Sequence, residues 1–212
     1  MVSSAALNPR VAPVIAWLVG GDALVSGRSI GATRIELVER ARSGDPDAFE
    51  TLVRAAGDHL LAVARKILRD PDAAEDALQQ AVIRGWRSLP HLRDPARFDQ
   101  WLYRILVMCC YAEANRRRRV AATVRQLPLE QSIGDGVDAV ADREALDEAF
   151  KVLTPMHRAV VVLHFFADLP MTDVAEVLGI QPGTARSRLH YALRSLRAAL
   201  DALDRGPREG AR

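Results

Sequence analysis

Apolar residues recur at helical spacing in two stretches of the chain, with an aperiodic stretch between them. The first stretch predicts a helix from Asp45 to about Leu68, a second from Pro71 to about Trp86, and a long third from Pro95 to the arginines at 116–119. The apolar positions of the first helix are Phe49, Leu52, Val53, Leu60, Leu61, Val63, Ala64, Ile67 and Leu68. The pattern shows helices only and predicts an all-α fold.

Four short sequences mark where helices begin. Each pairs a side chain that can cap a helix with a proline at the first helical position. The four pairs are Asp45-Pro46, Asp70-Pro71, Asp94-Pro95 and Thr154-Pro155. The capping signals and the apolar period therefore predict the same helix starts.

The stretch from Val120 to about Asp142 predicts a flexible acidic linker. It carries Pro128, Gly134 and Gly136 among acidic residues, and it has no amphipathic period. We expect two small helical domains joined by this linker. The predicted segments are an extension (1–33), a first domain (34–119), the linker (120–142), a second domain (143–203) and a tail (204–212).

A helix-turn-helix is predicted over residues 169–193. Its short first helix has an apolar face, with a small residue where the second helix can cross, formed by Val174, Ala175 and Leu178. Gly179 suits a left-handed turn, and Pro182 suits the start of the next helix. The spacing is typical of a motif that places its second helix in the major groove of DNA.

The second helix of this motif has one apolar and one polar side. The apolar side consists of Ala185, Leu189, Ala192, Leu193, Leu196 and Leu200. The polar side centres on Ser187, Tyr191 and Arg194, with His190 nearby and with Arg186 and Arg188 at its boundary. Such side chains can donate to base edges or phosphates. A solvated helix face would look similar, but the preceding turn and the core pattern favour DNA contact.

The distribution of basic residues along the chain, and not the net charge, adds to this prediction. The formal net charge is +2, from 29 Lys and Arg against 27 Asp and Glu, so the total does not by itself indicate nucleic acid. Basic residues instead form one cluster at 116–119 and a second with Arg186, Arg188, Arg194 and Arg197. Each predicted domain therefore carries one basic cluster.

The cysteines and the N-terminal apolar stretch bear on the compartment. Cys109 and Cys110 are adjacent, which suits neither a disulfide framework nor a metal site and fits a reducing cytosol. The apolar stretch from Val11 to Val25 is interrupted by Gly20, Gly21 and Asp22 and is shorter than the roughly 20 residues that span a bilayer. We expect a cytoplasmic protein without a cofactor.

The second domain resembles the promoter −35 binding domain of extracytoplasmic-function sigma factors of the sigma-70 family. The resemblance rests on Leu-Thr-Pro at 153–155, Arg158, the helix Asp173–Leu178, and Gly-Thr-Ala-Arg-Ser-Arg-Leu at 183–189. Residues 34–119 resemble the other half of that family, in Gly44-Asp45 with Ala48-Phe49, Ala74-Glu75-Asp76 with Gln79, and Phe98 with Trp-Leu-Tyr-Arg-Ile at 101–105. The two stretches stand in the domain order of the family.

The resemblance implies a protein that binds RNA polymerase core and directs promoter recognition, DNA opening and transcription initiation, and that is not an enzyme. The helix carrying Asp76, Gln79 and Gln80 would dock on the clamp helices of the β′ subunit, with further contacts to the β subunit. The −10 element would contact Arg93, Phe98, Arg104, Met108, Arg116, Arg117, Arg118 and Arg119, with apolar groups around an unstacked base and arginines on phosphates. The −35 element would contact Thr184, Arg186, Ser187, Arg188, His190, Tyr191 and Arg194.

The resemblance also implies how the protein is regulated, and the sequence departs from the family pattern at four positions. Such factors are commonly held inactive by an anti-sigma protein that occludes both DNA-binding domains and is often tethered to the membrane. The acidic middle segment suits either a strand that mimics nucleic acid in the polymerase cleft or a plain tether. Met108 and Ala112 depart from residues common in relatives, which bears on −10 readout, and Gln80 stands where an acidic residue is common. Tyr191 stands where relatives often have arginine, so we expect an unusual −35 sequence.

Two other functions fit parts of the sequence. A conventional helix-turn-helix regulator would bind duplex DNA without polymerase core, but a receiver domain should show alternating strands and helices, whereas residues 34–119 show helices only. A helical enzyme could be imagined from His157, His164, Asp168 and Cys109, yet no motif places a nucleophile beside a base. The sequence favours the sigma factor.

Overall fold

The computed structural model describes residues 31–123 and 141–203. Within these ranges the chain forms helices and no strand. The α-helices are α1 Gly31–Arg42, α2 Pro46–Leu68, α3 Pro71–Ser88, α4 Phe98–Thr123, α5 Ala141–Lys151, α6 Pro155–Phe165, α7 Met171–Leu178 and α8 Pro182–Leu203. Short 3-10 turns cover Leu89–His91 and Pro95–Arg97. The all-α prediction is confirmed, while the predicted tail and most of the predicted N-terminal extension and linker lie outside the described residues.

The predicted capping residues begin their helices as expected. The Asp45 side chain accepts from the backbone N–H groups of Asp47 and Ala48, and the Asp70 side chain accepts from that of Ala73. Thr154 Oγ1 accepts from the backbone N–H of His157 at 3.3 Å. These caps satisfy backbone donors that have no partner within the helix.

The third predicted helix begins differently from the expectation. Asp94 caps a 3-10 turn at Pro95–Arg97, and α4 begins only at Phe98. Such turns are common where an α-helix begins. The helix then runs through the four arginines to Thr123, so it both begins and ends a few residues later than the apolar pattern predicted.

Helices α1 to α4 form the first half of the molecule. Their core is built from Val38, Phe49, Leu52, Ile67, Leu102 and Leu106, all of which are buried. Helix α3 contributes Ala74, Ala77, Ala81 and Gly85 to this core, and such small residues let α2 and α4 approach it closely. A Cβ on Gly85 would stand 3.6 Å from both Leu102 Cδ1 and Phe49 Cζ. Because the small residues of α3 face the core, the opposite, polar face of this helix is exposed to solvent.

Helices α5 to α8 form the second half around α6. Five successive residues of α6, from Ala159 to Leu163, are fully buried. A surface helix buries only one stripe, so a helix buried on all sides must be covered by several neighbours. Helix α6 contacts α7 and α8 of its own half and also α2 and α4 of the first half.

The two halves pack against each other. Contacts run between α2 and α6, between α4 and α6, and between α4 and α7. Buried residues of both halves form one continuous cluster. The two predicted domains therefore share a core, which the prediction of a flexible linker between them did not include.

Candidate nucleic-acid interface

The predicted helix-turn-helix is formed by α7, a tight turn and α8. Gly179 has φ 65° and ψ 36°, and its N–H donates to the carbonyls of Ala175 and Glu176. The N–H of Ile180 also donates to Ala175 at 2.9 Å. This left-handed end of α7 redirects the chain into α8, so the predicted role of Gly179 is confirmed.

Helix α8 buries the side that its apolar period predicted. Ala185, Ala192 and Leu196 are buried, and Leu189, Leu193 and Leu200 are partly buried against the core. The other side is exposed at Thr184, Arg186, Ser187, His190, Tyr191 and Arg194. Arg188 is half-buried because it faces the first half. Six of the seven side chains predicted for the −35 element therefore lie on one open face.

The exposed face of α8 combines hydrogen-bonding groups with one apolar surface. Tyr191 is 57% exposed, and its ring lies edge-on to His190 with centroids 5.9 Å apart. Ser187 Oγ donates to the carbonyl of Gly183 at 3.0 Å, which fixes that hydroxyl against the first turn of the helix. Arginine and tyrosine on such a face can contact phosphates, base edges and thymine methyl groups.

The residues predicted for the −10 element are divided by their exposure. Arg93 is exposed ahead of α4, and Arg104 and Met108 are exposed one turn apart on that helix. Phe98 instead is 2% exposed and packs against Trp101, with ring centroids 5.7 Å apart, while the Arg34 guanidinium lies over its ring. Phe98 thus belongs to the core of the first half here, and its contact with DNA stays a prediction.

The four consecutive arginines have different partners. Arg116 and Arg117 both donate to the buried Glu113, and Arg117 also pairs with Asp70 at the start of α3. The hydrogen bonds from Arg116 and Arg117 hold the pKa of Glu113 below its ordinary value. Arg118 bonds to Asn115 on its own helix at 2.6 Å. Two arginines therefore connect α4 to α3. The sequence analysis missed Glu113, which could have been found only from its spacing of three and four residues from these arginines.

The face of α3 predicted to bind polymerase is open. Asp76, Gln79 and Gln80 are exposed, and Ile83 and Trp86 continue the same face. Trp86 is 36% exposed, with its ring 5.1 Å from that of Phe49. Exposed apolar groups beside polar ones are typical of the centre of a protein interface. Sequence reasoning missed Ile83 and Trp86, although their helical spacing from Gln79 could have indicated them.

Two of the groups considered for catalysis, Cys109 and His164, are held in contacts within the fold. Cys109 and Cys110 are buried, and burial raises the pKa of both thiols, that of Cys110 to about 12. His164 Nδ1 lies 2.9 Å from the carbonyl of Leu169. Within residues 31–123 and 141–203, no cluster of side chains could hold a metal ion and no helix is long and apolar enough to cross a membrane.

Comparisons with known proteins agree with this geometry. Residues 52–120 match the model of sigma-70 region 2, and residues 149–198 match the model of sigma-70 region 4. The RNA polymerase sigma-E factor of Streptomyces avermitilis is 34% identical over 161 residues, covering 76% of this chain and 89% of the relative. The chain belongs to the sigma-70 family. It is an RNA polymerase sigma factor of the extracytoplasmic-function type.

Further comparisons place this sigma factor among its relatives. The extracytoplasmic-function sigma factor SigL of Mycobacterium tuberculosis is 34% identical over 169 residues, covering 76% of this chain and 96% of SigL. The solved structure of CnrH in complex with the cytosolic domain of CnrY is similar with a TM-score of 0.59 and 25% identity, covering 80% of this chain and 97% of CnrH. RpoE of Bartonella quintana, solved with the anti-sigma factor NepR, shares the fold with a TM-score of 0.61 at 22% identity, covering 72% of this chain and 96% of RpoE.

The family models contain all the predicted contact residues of this sigma factor. The region 2 match includes α3, the 3-10 turns and α4 as far as Val120. The region 4 match includes α6, α7 and most of α8. A sigma factor directs RNA polymerase core to promoter DNA, so the conventional regulator that does not bind core is not favoured.

Proposed function

We propose that this sigma factor reads the −35 element with the exposed face of α8. The observation that carries the proposal is the division of α8 into a buried apolar stripe and an open face bearing Arg186, Ser187, Tyr191 and Arg194. The left-handed turn at Gly179 sets α8 across α7, as in motifs whose second helix enters the major groove. Arginine suits the two acceptors of guanine in that groove.

The −10 element binds along α4 and the loop before it. Arg93, Arg104 and Met108 are exposed there and supply two guanidinium groups and one apolar side chain. Single-stranded DNA is held by contacts of this kind, with cations on phosphates and apolar groups against an unstacked base. Arg118 and Arg119, exposed near the end of α4, extend the basic surface.

Core polymerase binds the open face of α3. Asp76, Gln79 and Gln80 supply polar contacts to the β′ clamp helices, and Ile83 and Trp86 supply apolar area beside them. This mixture supports the proposal, because a purely solvated face would not expose a tryptophan and an isoleucine on consecutive turns.

The wider role follows from membership of the family. An anti-sigma factor holds this protein inactive, by analogy with CnrH and RpoE, which were solved with CnrY and with the anti-sigma factor NepR. The protein acts in the cytoplasm, where RNA polymerase works, and associates with the nucleoid when it is active. It contributes binding and DNA opening and catalyses no reaction of its own, which the match to sigma-70 region 2 and to RNA polymerase sigma factors supports.

Binding of the full chain to sigma-free core polymerase tests the site on α3. We expect Asp76→Ala and Trp86→Ala to weaken the complex at least tenfold, measured by titration with a labelled chain. Glu75→Ala is the matched control, because Glu75 lies on the same helix but pairs with Arg65 at 3.0 Å. Equal weakening by Glu75→Ala, or none by Asp76→Ala and Trp86→Ala, would place the core site elsewhere.

A further inference from the structure

The side chains of α8 that point farthest from the core form a line along the helix. At 100° per residue, the direction opposite the buried stripe is shared by residues spaced three and four apart. The exposed polar and aromatic residues in that direction are Thr184, Ser187, Tyr191 and Arg194. The first three carry no charge, so the line begins with hydroxyl and aromatic groups and meets its first cation at Arg194.

Basic side chains flank this line. Among them, His190 lies to one side, and Arg188 lies to the other, where it is half-buried close to Tyr111 of α4. A helix with its side chains is about 10–12 Å across, and the major groove is about 12 Å wide and 8.5 Å deep. When such a helix enters the groove, the side chains opposite the core face the base edges, and those on the flanks lie nearer the two backbones. Tyr191 therefore faces bases.

The ring of Tyr191 is held in place before any DNA is present. It lies edge-on to the ring of His190, with centroids 5.9 Å apart and planes 72° apart. Such edge-to-face pairs of rings are attractive. More than half of Tyr191 nevertheless stays exposed. A side chain that is already oriented loses less freedom on binding, so a contact made by this ring costs little in entropy.

Ser187, one turn before Tyr191, presents an acceptor and not a donor. Its hydroxyl already donates to the carbonyl of Gly183 at 3.0 Å, so its outward lone pairs can only accept. Guanine presents two acceptors in the major groove and is matched by a side chain with two donors. Tyr191 has a single hydroxyl and cannot pair with both acceptors. This part of the line is therefore a poor match for guanine.

We propose that Tyr191 selects a thymine of the −35 element by packing its ring against the 5-methyl group in the major groove. The inference rests on the proposed function of α8 and names the base that one of its residues selects. Thymine differs from the other bases by presenting an apolar methyl group in that groove. The exposed ring of Tyr191 supplies the apolar surface that covers it, and the contact removes both from water.

Removal of the methyl group tests the proposal, because uracil pairs as thymine does and differs from it only by that group. The full chain with core polymerase is titrated with duplexes of a promoter whose start site this chain and core have defined. Each thymine of the −35 element, on either strand, is replaced by uracil one at a time. We expect one replacement to weaken binding about fourfold, the loss expected when one methyl group is no longer buried. The other replacements are the control within the DNA and should change little.

Three variants assign the methyl contact to the ring of Tyr191. Tyr191→Phe keeps the ring without its hydroxyl and should keep the fourfold difference between thymine and uracil. Tyr191→Ala removes the ring and should bind both duplexes equally. Arg194→Ala is the control on the same line of α8, and it should weaken binding to both duplexes while keeping their ratio.

The outcomes separate this inference from the proposed function. A fourfold difference that persists in Tyr191→Phe and Arg194→Ala and vanishes in Tyr191→Ala supports the inference. It is overturned if no replacement by uracil weakens binding, if Tyr191→Ala keeps the difference, or if Tyr191→Phe loses it, even when transcription from the promoter continues. Absence of promoter-dependent RNA with the unmodified chain and core polymerase would instead overturn the proposed function, and this inference with it.

Discussion

Glu113 lies three residues before Arg116 on α4, and its carboxylate accepts hydrogen bonds from Nε and Nη2 of that arginine at 2.8 and 2.7 Å. Arg117 Nε donates to the same carboxylate at 2.9 Å and also pairs with Asp70, while Arg116 lies 3.6 Å from Asp76. One buried acid thus organises two of the four consecutive arginines and joins the end of α4 to the beginning of α3. The proposed DNA and polymerase surfaces are connected through this network.

Removing the charge of Glu113 should destabilise the first half. We expect Glu113→Gln to lower the free energy of unfolding by about 1 kcal/mol, because the carboxylate that two arginines share becomes a neutral amide with a single acceptor oxygen. The folded pKa of Glu113 lies below its ordinary value, so this stabilisation is complete above the ordinary value and is lost as the pH falls through the folded pKa. Denaturant unfolding at pH 7 and pH 3.5 measures both effects. Glu50→Gln removes an exposed pair with Arg54 and is the control; an equal loss there would contradict the prediction.

Two glycines should respond to alanine in opposite directions. Gly57 lies inside α2 with open space where a Cβ would stand, so Gly57→Ala should raise the free energy of unfolding by about 0.5–1 kcal/mol. Gly179 has φ 65°, a conformation that costs an L side chain about 1–2 kcal/mol, so Gly179→Ala should lower it. Urea unfolding of both variants gives the comparison. A stabilised Gly179→Ala would show that the turn of the helix-turn-helix does not depend on this backbone conformation.

Acid should weaken the packing between the halves through His59. Burial lowers the pKa of His59, which stacks on Phe166 and lies edge-on to Tyr103, with Lys66 on the same phenylalanine. Asp99 and Arg34 are the charged groups that interact with Tyr103. Because the packing between the halves favours neutral imidazole, its stability is complete above the ordinary pKa of 6.5 and falls as the pH drops below it.

The test for His59 measures fluorescence transfer between pH 8 and pH 5.5, with dyes at Ser43→Cys in the first half and Ala198→Cys on α8, both of which are exposed. Transfer should fall with acid in the wild-type chain and should stay level in His59→Phe, which keeps an aromatic ring against Phe166 but cannot titrate. If both proteins lose transfer in parallel, another group controls the packing.

Substitutions on the open face of α8 should affect promoter recognition alone. A lost base contact typically costs about 1–3 kcal/mol, so Arg186→Ala or Arg194→Ala should reduce promoter-dependent transcription by roughly tenfold or more while core affinity is kept. Arg54→Ala removes an exposed arginine far along the chain in α2 and serves as the control. Parallel loss of core affinity in the α8 variants would mean that they disturb the fold or a polymerase contact.

The sequence predicted local features well because their causes are local. An aspartate before a proline can cap a helix through backbone N–H groups close to it in the chain, as Asp45 and Asp70 do. Gly179 adopts the left-handed conformation that ends α7, which a glycine adopts without strain. The apolar stripe of α8 likewise follows from helical period alone. These features were enough to predict α2, α3, most of α4 and the open face of the proposed −35 site, but not α1.

Features that depend on distant contacts could not be predicted in the same way. Phe98 has the spacing of a core residue, but its aromatic ring would also suit a wall around an unstacked base. Only the structure, in which Phe98 packs on Trp101, shows that it is buried. His59 and Phe166 stack although they are far apart in the chain, and nothing local to either indicates the other. The unbroken apolar run of α6 was the one signal that this helix needed a cover from outside its own half.

The central claim is that this sigma factor, with core polymerase, begins transcription at promoters bearing paired −10 and −35 elements. In vitro transcription with the purified chain and sigma-free bacterial core on a genomic fragment library, followed by sequencing of RNA 5′ ends, tests it most directly. We predict discrete start sites that share two upstream motifs, of which the distal one loses its influence in Arg186→Ala. RNA ends no different from those of core alone would contradict the account.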